Sequence, residues 1–381
     1  MNSILSLRET LYLALILLLG SSAAFAQGLP NEFTSGTPAK AAEVTANFRY
    51  LAPKNMVFVS PVDGGTATDN GTALLAALDL TSLTAINGAP SAANPYLIKL
   101  TPGVYDLGAL TLNMLSYVNI EGSGKGLVHD PGSGYVAEGG SKITSSGGTT
   151  VIGAANSEIR SLLVENTNTT ASIGISIAAD PFRIEQVTVF GSCFSSGGSQ
   201  AGGINITGSS PEIESVAVFA VAGPTNCYGV RISGASSPVL NQVHVSALNQ
   251  GFCFGVMNYS SDPVGPRFTN VTFTATGCSV TNVALFNNGA SATVYNGILS
   301  AGSGSNWQTA VYNTAAQGTV TIHHSALSGP NSIQNAALYT VNVAASQLAG
   351  TIVDFDGTDE FHCASVYDAT FVDITASCDA L

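Results

Sequence analysis

The hexapeptides IEQVTV at residues 184–189, IESVAV at 213–218, LNQVHV at 240–245 and FTNVTF at 268–273 decide the fold. Each is apolar at its first, fourth and sixth positions. That spacing fits a bent strand stacked on its equivalents, whereas a helix would need apolar residues at a period of about 3.6 over more turns. The hexad starts eight times, at Ile159, Ile184, Ile213, Leu240, Phe268, Val294, Ile322 and Val343, with successive starts 21 to 29 residues apart. A repeat of this length is one coil of a solenoid. Behind many of the hexads a second strand follows, with GISI at Gly174, GINI at Gly203, GVRI at Gly229 and GVMN at Gly255. Gly and Pro punctuate the interval.

Composition agrees with one elongated all-β unit plus ends. The 381 residues include 41 Gly, 45% are hydrophobic and 9% are charged, which excludes a disordered chain and a helical bundle. The net charge of −13 disfavours nucleic acid and repels polyuronates unless Ca²⁺ or a local basic patch intervenes.

At the N-terminus Arg8, the apolar run Leu11–Leu19 and the small-residue site Ala24-Phe25-Ala26 read as a signal peptide over residues 1–26, with cleavage before Gln27. The mature chain is then expected to have no membrane span and to be secreted, periplasmic or on the cell surface. Export makes disulfides available to the six cysteines. Cys193, Cys227, Cys253 and Cys278 fall in four successive coils, and with coils about 4.8 Å apart only adjacent ones can be joined. Pairing all four requires Cys193–Cys227 and Cys253–Cys278; Cys363–Cys378 then closes the tail.

Residues 27–55 form a leader with a short helical pattern from Pro38 to Leu51 behind Thr37. Asp69-Asn70-Gly71 leads into TALLAALDLTSL, an amphipathic helix that would plug one end of the stack. LIKLTPGVYDLG from Leu97 and YVNIEGSGKG from Tyr117 are the first coils, the solenoid is expected over residues 56–350, and residues 351–381 form an acidic cap.

The DNGTALLAAL helix, the LTPGVYDL and VNIEGSGKG strands and the repeated ladder together resemble the pectate-lyase-like right-handed parallel β-helix superfamily. The leader LPNEFTSGTPAKAAEVTANF and the ending with Cys363, Tyr367, Asp368, Phe371 and Cys378 are similar to segments of exported bacterial β-helix proteins. The resemblance implies a right-handed parallel β-helix with an N-terminal capping helix and a disulfide-closed C-terminal tail. It implies a function only by class, because the superfamily holds lyases, hydrolases, epimerases, tailspikes and adhesins. By analogy with tailspikes, a trimer is the implied assembly.

Chemistry on such a scaffold needs paired carboxylates, or carboxylates holding Ca²⁺ beside a basic residue. Residues 268–353 contain no Asp, Glu, Lys or Arg, so four coils offer neither. In the earlier coils Glu158, Arg183 and Glu212 form one column, and Arg160, Glu185 and Glu214 another. Glu185 and Glu214, one coil apart, are the candidate catalytic pair, with Arg160 or Arg183 gripping substrate; cross-strand ion pairing is the competing explanation. The superfamily's usual Asp-Asp, Gly-His-Gly and Arg-x-Pro-x-x-Arg signatures are absent. In the uncharged coils His323 points outward and His324 sits nearer a bend, and Tyr295, Trp307 and Tyr312 are candidate sugar-stacking residues. Asp354 and Asp356 are the candidate Ca²⁺ ligands, although the DFDGTDE segment departs from an EF-hand loop. No other cofactor is expected. The sequence therefore supports two readings: an exported non-catalytic protein engaging polysaccharide, and a polysaccharide lyase, hydrolase or epimerase.

Overall fold

A computed structural model describes residues 55–124, 128–130, 134–136, 140–169, 172–192, 201–221, 226–248, 251–302, 307–315, 318–336, 338–354 and 360–375. The chain divides into two units, Met1–Met56 and Val57–Leu381. The expected signal peptide and the Pro38–Leu51 pattern lie outside the described residues. The second unit is a parallel β-solenoid.

Its ladder runs in the register the hexads predict. Ile159 pairs with Ile184, then Ile213, Leu240, Phe268, Val294, Ile322 and Val343 in unbroken succession. The same column continues upstream through Ile120 and Ile98 and downstream to Cys363. These strands form a twelve-stranded sheet. After the first strand of a coil the chain bends and enters a second, nineteen-stranded sheet, to which the central coils contribute two legs, as Ala217–Val221 and Asn226–Gly234 do. The coils of Ile322 and Val343 contribute one long strand each, Ala326–Asn335 and Gln347–Asp354. First and sixth hexad residues are buried, forming one continuous core.

The bend has one cause repeated. The third hexad residue adopts the left-handed conformation in every coil: Ser161, Gln186, Ser215, Gln242, Asn270, Asn296, His324 and Ala345 have φ between 50° and 56°. Its backbone N–H still donates to the next coil, as Gln242 does to the Thr269 carbonyl at 3.0 Å, so the ladder turns without losing a bond. The polar side chains at this bend also form a surface ladder, Asn296 donating to Asn270 at 2.6 Å and Asn270 to Asn241 at 3.1 Å.

Two expectations need correction. The fourth hexad position is apolar only through Val271; it then becomes Gly297, Ser325 and Ser346. Those serines are buried because their hydroxyls have partners: Ser325 Oγ donates to the His323 carbonyl at 2.7 Å and accepts from Gly297 N at 3.0 Å. The capping helix is two helices rather than one. Ala67–Ala77 starts before Asp69, because Thr66 caps it and Asp69 completes a capping box; Asp79 then caps a second helix, Leu80–Asn87, accepting from Ser82 N at 2.8 Å.

Gly174, Gly203 and Gly229 mark where the third leg crosses the second. A Cβ on them would lie 2.4, 2.2 and 2.0 Å from a Cγ of Val189, Val218 and Val245. Cys253 and Cys278 are disulfide-bonded with Cα atoms 5.9 Å apart, although Cys227 is Cys253's direct register partner. Cys227 and Cys363 each take part in a separate disulfide, while Cys193 and Cys378 lie outside the described residues. The sheets continue past residue 350 in Gln347–Asp354, Glu360–Ala364 and Tyr367–Asp368.

Candidate functional sites

The charged columns form as the sequence orders them, and they become an ion network. Glu158 registers with Arg183 and Glu212, and Arg160 with Glu185 and, through it, Glu214. Arg183 Nη2 lies 2.9 Å from Glu214 and 3.4 Å from Glu185, so the candidate catalytic pair shares one guanidinium. Arg160 bridges Glu158 at 3.1 Å and Glu121 at 2.7 Å, and Lys99 reaches Glu121 at 2.6 Å. Lys99 and Glu121 were not singled out from the sequence, yet each follows an apolar ladder residue, Ile98 and Ile120, as Arg160 follows Ile159. Extending the column upstream identifies them.

Electrostatics separates two neighbouring carboxyls. Hydrogen bonding from Lys99, aided by Arg160, holds the Glu121 carboxyl below its usual range. Burial pushes the Glu158 carboxyl up despite Arg160 and Arg183 beside it. Among the described residues its buried Oε1 accepts no hydrogen bond, and it lies 3.7 Å from Arg183 Nη1. A cleft of about 370 Å³ opens here, lined by Asn119, Glu158, Phe182, Arg183, Ser210 and Glu212; Glu185 and Glu214 are not part of its wall.

The aromatic candidates divide. Trp307 and Tyr312 come together with ring centroids 5.2 Å apart in an edge-to-face contact. Tyr295 is on the other sheet, 48% exposed and 5.2 Å from the His324 ring. His324 occupies the left-handed bend and His323 is half-buried below Tyr295 in register. Around Trp307 and Tyr312 lie three rings the sequence reading missed, Phe252, Phe254 and Phe286, and together they line a cleft of about 320 Å³. Phe286 contacts Tyr312 at 5.6 Å, Phe254 at 5.3 Å and Tyr259 at 5.7 Å. The rings converge because they stand on the outer face of consecutive legs: Arg231, Met257, Phe286 and Tyr312 form one column, and Tyr228 and Phe254 begin the next. Aligning the third legs on their glycines, Tyr228-Gly229 over Phe254-Gly255, exposes this column in the sequence.

Arg231 lies over the Tyr259 ring at 5.7 Å. Burial pushes the Tyr228 phenol up to about 12, and the charge of Arg231 opposes that rise. Asp354 ends the strand Gln347–Asp354 opposite Asn335, and Asp356 lies outside the described residues. Among the described residues no group of three or more His, Cys, Asp or Glu side chains is placed to hold a metal ion, and no helix is long and apolar enough to cross a membrane.

This parallel β-solenoid architecture is shared with solved structures of low sequence identity. The tailspike protein gp49 of Acinetobacter baumannii bacteriophage Fri1, a capsular polysaccharide depolymerase, matches with a TM-score of 0.51 and 13% identity over 82% of this chain and 57% of its own. ORF18 of Geobacillus virus E2 matches with a TM-score of 0.51 and 14% identity over 88% of this chain and 65% of its own. The chain thus spans less than two thirds of the length of either, and at such identity the likeness is one of fold. No protein-family model matches the chain, and neither does any curated protein.

Proposed function

We propose that this chain is an exported, non-catalytic β-solenoid that binds polysaccharide along the aromatic face of its second sheet. The observation that carries this reading is the convergence of Phe252, Phe254, Phe286, Trp307 and Tyr312, from three consecutive coils, on one open cleft. Pyranose rings present apolar C–H faces that stack on aromatic rings while their hydroxyls stay in water, so an open, nearly apolar cleft on a rigid sheet suits them. Coils recur at about 4.8 Å, which sets the rings out as a row for a repeating polymer. The tailspike's action on capsular polysaccharide supports the ligand class by analogy.

Affinity electrophoresis against a panel of neutral and acidic polysaccharides tests it. Trp307→Ala is expected to weaken binding at least tenfold, about 1.4 kcal/mol, with no reducing ends or unsaturated uronate released by the wild type. Unchanged retention in Trp307→Ala removes the cleft from the reading, and measurable turnover removes its non-catalytic part.

A second reading, an acid-catalysed hydrolase or lyase, is favoured by one observation: a carboxyl held up by burial, Glu158, beside Arg183 in a cleft of about 370 Å³. It requires turnover that Glu158→Gln abolishes.

A further inference from the structure

Arg231 is the single charged residue on the strands of the second sheet from Thr188–Ser192 to Ala326–Asn335. Four of the described cations, Lys99, Lys142, Arg160 and Arg183, are held in ion pairs. Arg231 is in none of the described ion pairs, and the connecting segments at 193–200, 222–225 and 249–250 carry no Asp or Glu. Its Nε is buried and has no hydrogen-bond partner among the described residues. The side chain is half-exposed and braced on Tyr259, in the same outer column as Phe286 and Tyr312. Three coil steps, roughly 14 Å, separate it from Tyr312 along that face. A chain of sugars seated on the aromatic rings would reach it.

We infer that Arg231 forms an anion-recognising subsite at one end of the aromatic face, so that the ligand is an acidic glycan whose carboxylate pairs with this guanidinium. This rests on the glycan-binding reading above. A guanidinium braced over a phenol ring keeps its forked donors in place for a carboxylate, and no neighbouring acid on this sheet competes for it. The chain's net charge of −13 repels polyanions at large, which makes one uncompensated cation on an otherwise neutral face a filter for register as well as for charge.

The test uses oligomers of galacturonate, glucuronate and mannuronate, each with its methyl ester. Titrations are followed through Trp307, the sole tryptophan of the chain, and by calorimetry. The wild type is expected to bind at least one free acid tenfold or more tighter than its methyl ester, with the preference shrinking as salt rises. Arg231→Gln should abolish the preference and leave binding of the ester unchanged, while Arg231→Lys should retain part of it. A purely structural Arg231 would shift both ligands equally. Equal binding of acid and ester by the wild type, or a preference surviving in Arg231→Gln, overturns the subsite while leaving the glycan platform intact. Binding of no oligomer at all, with no retention in the polysaccharide panel, overturns both.

Discussion

Glu121 and Glu158 occupy neighbouring rungs of the ion network and are pushed in opposite directions, which gives each its own pH window. Glu121 is held low by Lys99 and Arg160, so its contribution to stability is present above the ordinary carboxyl value and is lost as pH falls through its folded value. Glu158 is pushed up by burial from the ordinary 4.5. The folded state then holds a proton that the unfolded state has released, so this contribution is complete below 4.5 and disappears as pH rises through the folded value. Glu158→Gln is neutral in both states and lacks that term. Calorimetry should therefore show the wild type's stability relative to Glu158→Gln falling between pH 4 and pH 7, by about 1.4 kcal/mol for every tenfold by which folding tightens the carboxyl's hold on its proton. A relative stability that is flat or rises over that interval contradicts burial as the dominant influence on Glu158.

At the scale of elements, the left-handed third residue of the hexad is what joins one sheet to the next. Asn270 serves it twice, by tolerating φ 53° and by linking Asn241 and Asn296 through its amide. Asn270→Val introduces a β-branched side chain at that φ and removes both amide bonds, and is expected to cost about 2–3 kcal/mol in urea unfolding. Asn270→Gly keeps the conformation accessible and should cost clearly less; equal costs would show that the side-chain ladder, which both variants lose, and not the bend, carries the stability. The strand register was legible because it depends on one apolar residue per coil, and Ile159 through Val343 advertise themselves. The Gly297, Ser325 and Ser346 column was not, because a buried serine is tolerated only when the neighbouring coil supplies its partner. The aromatic cleft was half legible for a related reason. Trp307 and Tyr312 are close in sequence, whereas Phe252, Phe254 and Phe286 reach them only through coil stacking.

The whole molecule is held together coil on coil, so a local lesson about its ends has a global form: stability is a sum of neighbour contacts, and damage should stay near its origin. The N-terminal end tests this. The helix Ala67–Ala77 lies so close to the strand Gly103–Asp106 that a Cβ on Gly71 would stand 1.9 Å from the Asp106 carbonyl oxygen. Asn70 fastens the same contact, donating to the Val104 carbonyl at 2.9 Å and accepting from Val62 N at 2.7 Å. Because the obstructing atom is backbone, Gly71→Ala cannot be absorbed by a rotamer change, and the helix must lift. Its buried Leu74 would then lose contact with the core, at a cost of about 2–5 kcal/mol if the side chain is fully uncovered. Hydrogen exchange should report faster opening in Tyr96–Leu100 and Gly103–Asp106, with Thr272–Thr276 and Gly318–His323 unchanged. The Cys253→Ser, Cys278→Ser double variant supplies the contrast: it removes a cross-link closing a 25-residue separation, costs about 3 kcal/mol, and should loosen Phe252–Ser260 and Thr272–Thr276 while sparing the N-terminal strands. Uniform loss of protection along the chain in either variant would mean that the solenoid unfolds as one cooperative body, its ends and its middle sharing a single transition.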